Sequence, residues 1–111
     1  MNNVIFPFGP PIYINQVDEN ILKELDARIE ETGGKPEFDA SGQLAGRIKK
    51  QTHLDKVISE SVKEDIFKHC AMFYEQTTNG QELPMSAMTL DSIWSNIQEA
   101  REYNPIHQHT G

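Results

Sequence analysis

Cysteine, basic charge and long apolar runs are all scarce in this chain, and each shortage removes a class of protein. Cys70 is the only cysteine among 111 residues, so there is no intrachain disulfide framework and no Cys-x-x-Cys metal or redox motif. A reducing compartment is the simplest expectation. Lys and Arg number 10 against 17 Asp and Glu, for a formal charge of -7, and the one basic cluster is Arg47, Lys49 and Lys50. Such a surface repels a phosphate backbone or an anionic bilayer, which disfavours nucleic-acid and membrane partners. No stretch approaches the roughly 20 apolar residues of a membrane span, and Met1 to Pro7 lack the charged and apolar regions of a secretory leader. A soluble, cytoplasmic protein is expected. Hydrophobic residues make up 37% and the mean hydropathy is -0.58, so the core should be modest.

What is present reads as one domain over residues 1–111. Val4, Ile5, Phe6, Phe8, Ile12, Tyr13 and Ile14 form two short β-prone runs, separated by Pro7 and by Gly9, Pro10 and Pro11, which cannot continue a ladder. Asp18 fits an N-cap, with Val17 and Leu22 as a hydrophobic staple, and Ile21, Leu22, Leu25 and Ile29 recur at helical spacing up to Gly33 and Gly34. Glu24 and Arg28 fall at i, i+4 on its outer face. Residues 33–53 hold glycines, Pro36 and polar side chains around three scattered anchors, Phe38, Leu44 and Ile48, and are expected to form a long surface loop. Ser61 and Glu64 make a capping box, after which Val62, Ile66, Phe67, Cys70, Phe73 and Tyr74 trace an apolar stripe to the stop at Asn79 and Gly80. That spacing predicts a second helix from about Val62 to Thr78, with Cys70 as a buried structural thiol. From Met85 to Ile97 the pattern changes to period two, predicting a strand, and Tyr103 to His109 can return antiparallel to it after a polar hairpin.

The residues that carry chemistry are His107 and His109. Side chains at i and i+2 of a strand share a face, so the two imidazoles can converge on one ion, and neutral imidazole is the commonest protein ligand for iron, zinc or copper. Two ligands make half a site. The expectation is therefore of a truncated chain that holds Fe(II) poorly by itself and binds no metal stably.

The order of parts, closing with Ser92, Trp94 and Asn96 and then Asn104, Pro105, His107, His109 and Gly111, resembles the 2-oxoglutarate/Fe(II)-dependent oxygenases of marine bacterial and phage sequences. The resemblance covers most of the chain, but specific motifs lie only in about the last 20 residues. It implies a double-stranded β-helix, or jelly roll, of which this chain would be the amino-terminal part. It also implies iron and 2-oxoglutarate as cofactors, with a small molecule or a protein side chain as substrate. His107 would be the first iron ligand. His109 stands where the family carries a carboxylate, and either binds metal, orients the site or faces the cavity. The family's distal histidine, and the basic residue that pairs with 2-oxoglutarate, follow this segment and have no assignment here.

Together these readings give an α+β domain, two helices packed on one face of an antiparallel sheet that begins a jelly roll. Open sheet edges and an apolar face around Met88, Leu90, Trp94 and Ile106 predict a homo-oligomer. Trp94 is read as a core residue, Asn96 and Asn104 as turn and strand-end residues, and His53 and His69 as surface or capping residues. A triad of Asp39, Ser41 and His69 lacks a nucleophile elbow and is discarded. Two rivals stand beside the oxygenase: a non-catalytic interaction domain using its sheet edges, and a cupin-like metal protein that does not use 2-oxoglutarate.

Overall fold

The structure is a computed structural model that describes residues 3–43, 47–105 and 107. The chain resolves into two compact units, one of Met1–Glu24 with Ser59–Leu90 and the other of Leu25–Ile58 with Asp91–Gly111. Its class is mixed α+β, but the strands form two separate two-stranded antiparallel sheets rather than one. No helix among the described residues is long and apolar enough to cross a membrane.

In the first unit, β1 (Val4–Ile5) pairs with β2 (Ile12–Tyr13), Val4 opposite Tyr13 and Ile5 opposite Ile12. The ladder stops at two pairs because the connection carries Pro7, Pro10 and Pro11, which supply no N–H. Helix α1 (Glu19–Thr32) starts at the expected cap, with the Asp18 carboxylate accepting from Asn20 N–H at 2.9 Å. Val17 and Leu22, the expected staple, are 47% and 49% exposed. The helix ends where Gly33 N–H donates to Ile29 O and Gly34 turns to φ +79.

Helix α2 (Glu60–Thr77) begins two residues earlier than the Ser61 box predicts, because Ser59 is the cap and its hydroxyl accepts from Val62 N–H. Glu24 makes Ser59 the better cap by accepting both its N–H, at 2.8 Å, and its hydroxyl, at 2.7 Å. Val62 is fully buried, while Ile66, His69 and Phe73 continue the same face half-buried. Cys70 corrects the expectation of a buried thiol: it is exposed, since at about 100° per residue it lies roughly 80° around the helix from Val62. The helix closes as predicted, with Asn79 and Gly80 at positive φ and Gly80 N–H donating to Glu75 O. Beyond it, Met85–Ala87 is a 3-10 turn packed against α2 and not the start of a strand, because Pro84 sets up i to i+3 bonds from Ala87 and Met88.

In the second unit, the expected surface loop of residues 33–53 is more ordered than its composition signals. It holds 3-10 turns at Pro36–Phe38 and Ser41–Gln43 and then β3 (Lys50–His53). β3 pairs antiparallel with β4 (Trp94–Ile97), in the register Lys50 with Ile97, Gln51 with Asn96, Thr52 with Ser95 and His53 with Trp94. Ala40 N–H adds a bond to Gln51 O on the other edge of β3. Ala40, Ile48, Leu54 and Ile58 are the buried apolar residues here, joined by buried Gln51, whose amide donates to Ile48 O at 2.8 Å. Of the three loop anchors, Ile48 is buried, Phe38 is half-buried and Leu44 lies outside the described residues.

Candidate functional site

The segment that leads to the histidine pair is built from the ends of β3 and β4. After Ile97 the chain reverses through a turn in which Glu102 N–H donates to Glu99 O at 3.1 Å and Arg101 takes φ +71. The side chain of Glu102 then folds back. One carboxylate oxygen accepts from Glu99 N–H and the other from Lys49 N–H, both at 2.8 Å. These two backbone donors, with smaller contributions from the Lys49 and Lys50 ammoniums, hold the Glu102 carboxyl below its usual range. The Gln98 amide donates to Glu102 O, and Lys50 forms an ion pair with Glu99 that raises the lysine above its ordinary value. Lys49 O is also taken, by the Ser41 hydroxyl at 2.9 Å.

From this closed turn, Tyr103 bridges to Arg47, whose N–H donates to Tyr103 O at 2.6 Å. That corrects the expected pairing of Tyr103 with the Trp94 strand: the partner of β4 is β3, and Tyr103 lies against the residue three positions before β3. Asn104 precedes proline and is biased to extended backbone, while Pro105 has its own φ fixed. His107 is exposed, and its Nδ1 lies 2.7 Å from Pro105 O. Because a carbonyl only accepts, that contact calls for a proton on Nδ1, which in the neutral ring leaves the lone pair on Nε2. His109 lies outside the described residues.

Trp94 is half-buried opposite His53, in keeping with a packing role, and Asn96 is exposed. His53 Nδ1 stands 3.8 Å from Asp55, beside a cleft of about 330 Å³ shared with Glu37, Phe38 and Asp91. Asp39 and Ser41 form a local turn, Ser41 N–H and hydroxyl both donating to one carboxylate oxygen, and this lowers the Asp39 carboxyl. His69 does more than cap: its Nδ1 is 2.7 Å from the Tyr13 hydroxyl and its Nε2 is 3.6 Å from Asp65. Asn15 donates to the same hydroxyl. The i, i+4 spacing of Asp65 and His69 hints at this pair, but nothing local marks Tyr13 as the third member.

Among the described residues no group of three or more His, Cys, Asp or Glu side chains is placed to hold a metal ion. A recess of about 650 Å³ in the second unit lies over β3 and is bordered by Ile29, Glu30, Pro36, Lys49 and Ile97. No family model, curated protein or solved structure matches the chain.

Proposed function

We propose that this chain is part of a 2-oxoglutarate/Fe(II)-dependent oxygenase, with the β3–β4 pair belonging to a double-stranded β-helix and His107 serving as an iron ligand through Nε2. The observation that carries the reading is the Nδ1 contact of His107 with Pro105 O. A metal-binding histidine characteristically gives its other ring N–H to a carbonyl or carboxylate, which fixes the tautomer and the ring's direction. His107 therefore fits the metal as one donor. His109 is the second candidate, at the position where the resembling family has a carboxylate.

When bound, Fe(II) would supply the coupling of oxidative decarboxylation of 2-oxoglutarate by dioxygen, to succinate and CO2, with insertion of the other oxygen atom into a second substrate, a small molecule or a protein side chain. The part played by this chain is to hold the imidazole on a segment stiffened by Asn104 and Pro105 and anchored at Tyr103. Anaerobic Fe(II) titration, with and without 2-oxoglutarate, tests the reading. Binding should weaken in His107→Ala, and 2-oxoglutarate should tighten it only where His107 is present. Equal Fe(II) binding by both proteins contradicts the assignment.

A second reading, a homo-oligomeric interaction domain, is favoured by one feature of the first unit. The β1–β2 hairpin exposes Phe6 at 63%, Phe8 at 90% and Ile14 at 56%. By contrast, Met88, Leu90 and Trp94, three of the residues expected to drive association, are half-buried, and the fourth, Ile106, lies outside the described residues. Sedimentation equilibrium at micromolar concentration should show self-association that Phe8→Ser reduces; a concentration-independent monomer contradicts it.

A further inference from the structure

We infer that Glu102 is a positioning residue for His107: its carboxylate locks the turn after β4 to the backbone before β3 and so fixes where the imidazole is presented. The inference rests on the His107 reading and goes beyond it. Glu102 is five residues from His107 and its carboxylate accepts from the backbone of Lys49 and Glu99, so it acts through the chain between them.

The constraint is continuous over the described residues. Glu102 accepts Glu99 N–H and Lys49 N–H at 2.8 Å each, which ties both strands of the sheet to the start of the presenting segment. Tyr103 is held to Arg47 by the next backbone bond. Asn104 and Pro105 leave little rotational freedom, since the residue before a proline avoids the helical region and proline fixes its own φ near -65°. Pro105 O then receives His107 Nδ1. Four successive residues, 102 to 105, are thus pinned or stiff before the ring is reached.

A carboxylate is the chemistry this clamp needs. Two N–H donors point at two different oxygens, and only an ionised carboxyl offers an acceptor to each. Glutamine has the same shape, but its NH2 would face one of the two backbone N–H groups, donor against donor. Glu102→Gln therefore breaks half of the clamp without changing side-chain volume.

Two readouts on the full chain separate positioning from folding. Amide exchange at Lys49 and Glu99 reports the clamp itself, and calorimetric titration with Ni(II) reports the presentation of His107. In Glu102→Gln, exchange should accelerate at whichever of the two amides faces the new NH2, and Ni(II) affinity should fall by roughly tenfold, the lower end of what loss of an outer support costs a metal site. Pro105→Ala provides the second variant. It leaves Glu102 and its donors in place, so Lys49 and Glu99 should keep their protection while Ni(II) affinity falls. Faster exchange in Glu102→Gln with unchanged Ni(II) affinity overturns the inference and leaves the His107 assignment standing. Unchanged Ni(II) affinity in His107→Ala overturns the assignment on which the inference rests.

Discussion

The two units of this chain are held together in different ways. In the unit of residues 1–24 and 59–90, side chains bind the hairpin to a long helix: Asn3 N–H to the Gln76 amide, Tyr13 to His69, and the Tyr13 ring edge-on to Phe73 at 6.2 Å. In the unit of residues 25–58 and 91–111, backbone groups do most of the joining. Ala40 bonds Gln51, Leu54 bonds Ile93, Arg47 bonds Tyr103, and the Glu102 carboxylate closes what the ladder leaves open. The buried residues divide accordingly. Among the described residues, Val62 is the fully buried apolar side chain of the first unit, whereas Ala40, Ile48, Leu54 and Ile58 are buried along with the polar Gln51 and Thr52 in the second. A helix can rely on its own hydrogen bonds and spend its side chains on packing. A two-stranded sheet leaves edge donors and acceptors that need partners.

The contrast breaks most sharply in the small core of the second unit. Leu54 is 3% exposed, so Leu54→Ala should cost about 2 to 5 kcal/mol in a denaturant titration, the upper part of that range if the backbone bond to Ile93 is lost with it. In the first unit Val62→Ala should cost about 2 kcal/mol, from lost methyl burial and the small cavity left behind. Phe73→Ala, at a half-buried site, should cost about 1.5 to 2 kcal/mol, while Lys68→Ala on the exposed face should stay within about 0.5 kcal/mol of the parent. Equal losses from these last two would show that α2 turns a different face to its unit. Tyr13→Phe should cost about 1 kcal/mol, the usual worth of one hydrogen bond, because it removes the hydroxyl shared by His69 and Asn15.

Acid sharpens the same comparison. The Glu102 and Asp39 carboxyls sit below their ordinary values of 4.5 and 3.8, both chiefly because backbone N–H groups donate to the charged form. A lowered carboxyl stabilises the folded chain in full above its ordinary value, and that contribution is lost as the pH falls through the folded value. Lowering the pH from about 5 to about 2 should therefore shift the amide protons of Lys49 and Glu99 in the second unit. Glu102→Gln should remove the part of that shift due to Glu102. An unaltered titration in the variant would assign the effect to other carboxylates.

The same division explains what could be read in the sequence. Helices α1 and α2 were legible because their signals are local: Asp18 before the first turn, apolar residues at i, i+3 and i+4, and Gly34 or Asn79 and Gly80 at the stops. The α2 cap was missed by two residues because the choice of Ser59 over Ser61 depends on Glu24, which is 35 residues away. Strand β3 was missed because Lys50, Gln51, Thr52 and His53 carry no alternating apolar pattern; their strand form comes from partners on β4 and at Asp39. The Met85 to Ile97 run held at its end, where Trp94–Ile97 is β4, and misled at its start, where Met85–Ala87 is a 3-10 turn that period two alone does not distinguish from a strand. At the candidate site, the His-x-His spacing singled out His107 as a proposed ligand. The clamp around Glu102 left no local signal, because Glu102 and Lys49 are 53 residues apart and look like ordinary surface charges.

The central claim is that Pro105 O selects the His107 tautomer that binds metal through Nε2, and long-range proton–nitrogen correlation of the imidazole tests it most directly. In the metal-free protein, the His107 ring should show a protonated Nδ1 and an unprotonated Nε2. Zn(II) titration, a diamagnetic stand-in for Fe(II), should move the Nε2 resonance while Nδ1 keeps its proton. A proton on Nε2 in the free protein, or Zn(II) perturbing Nδ1 instead, would contradict the account.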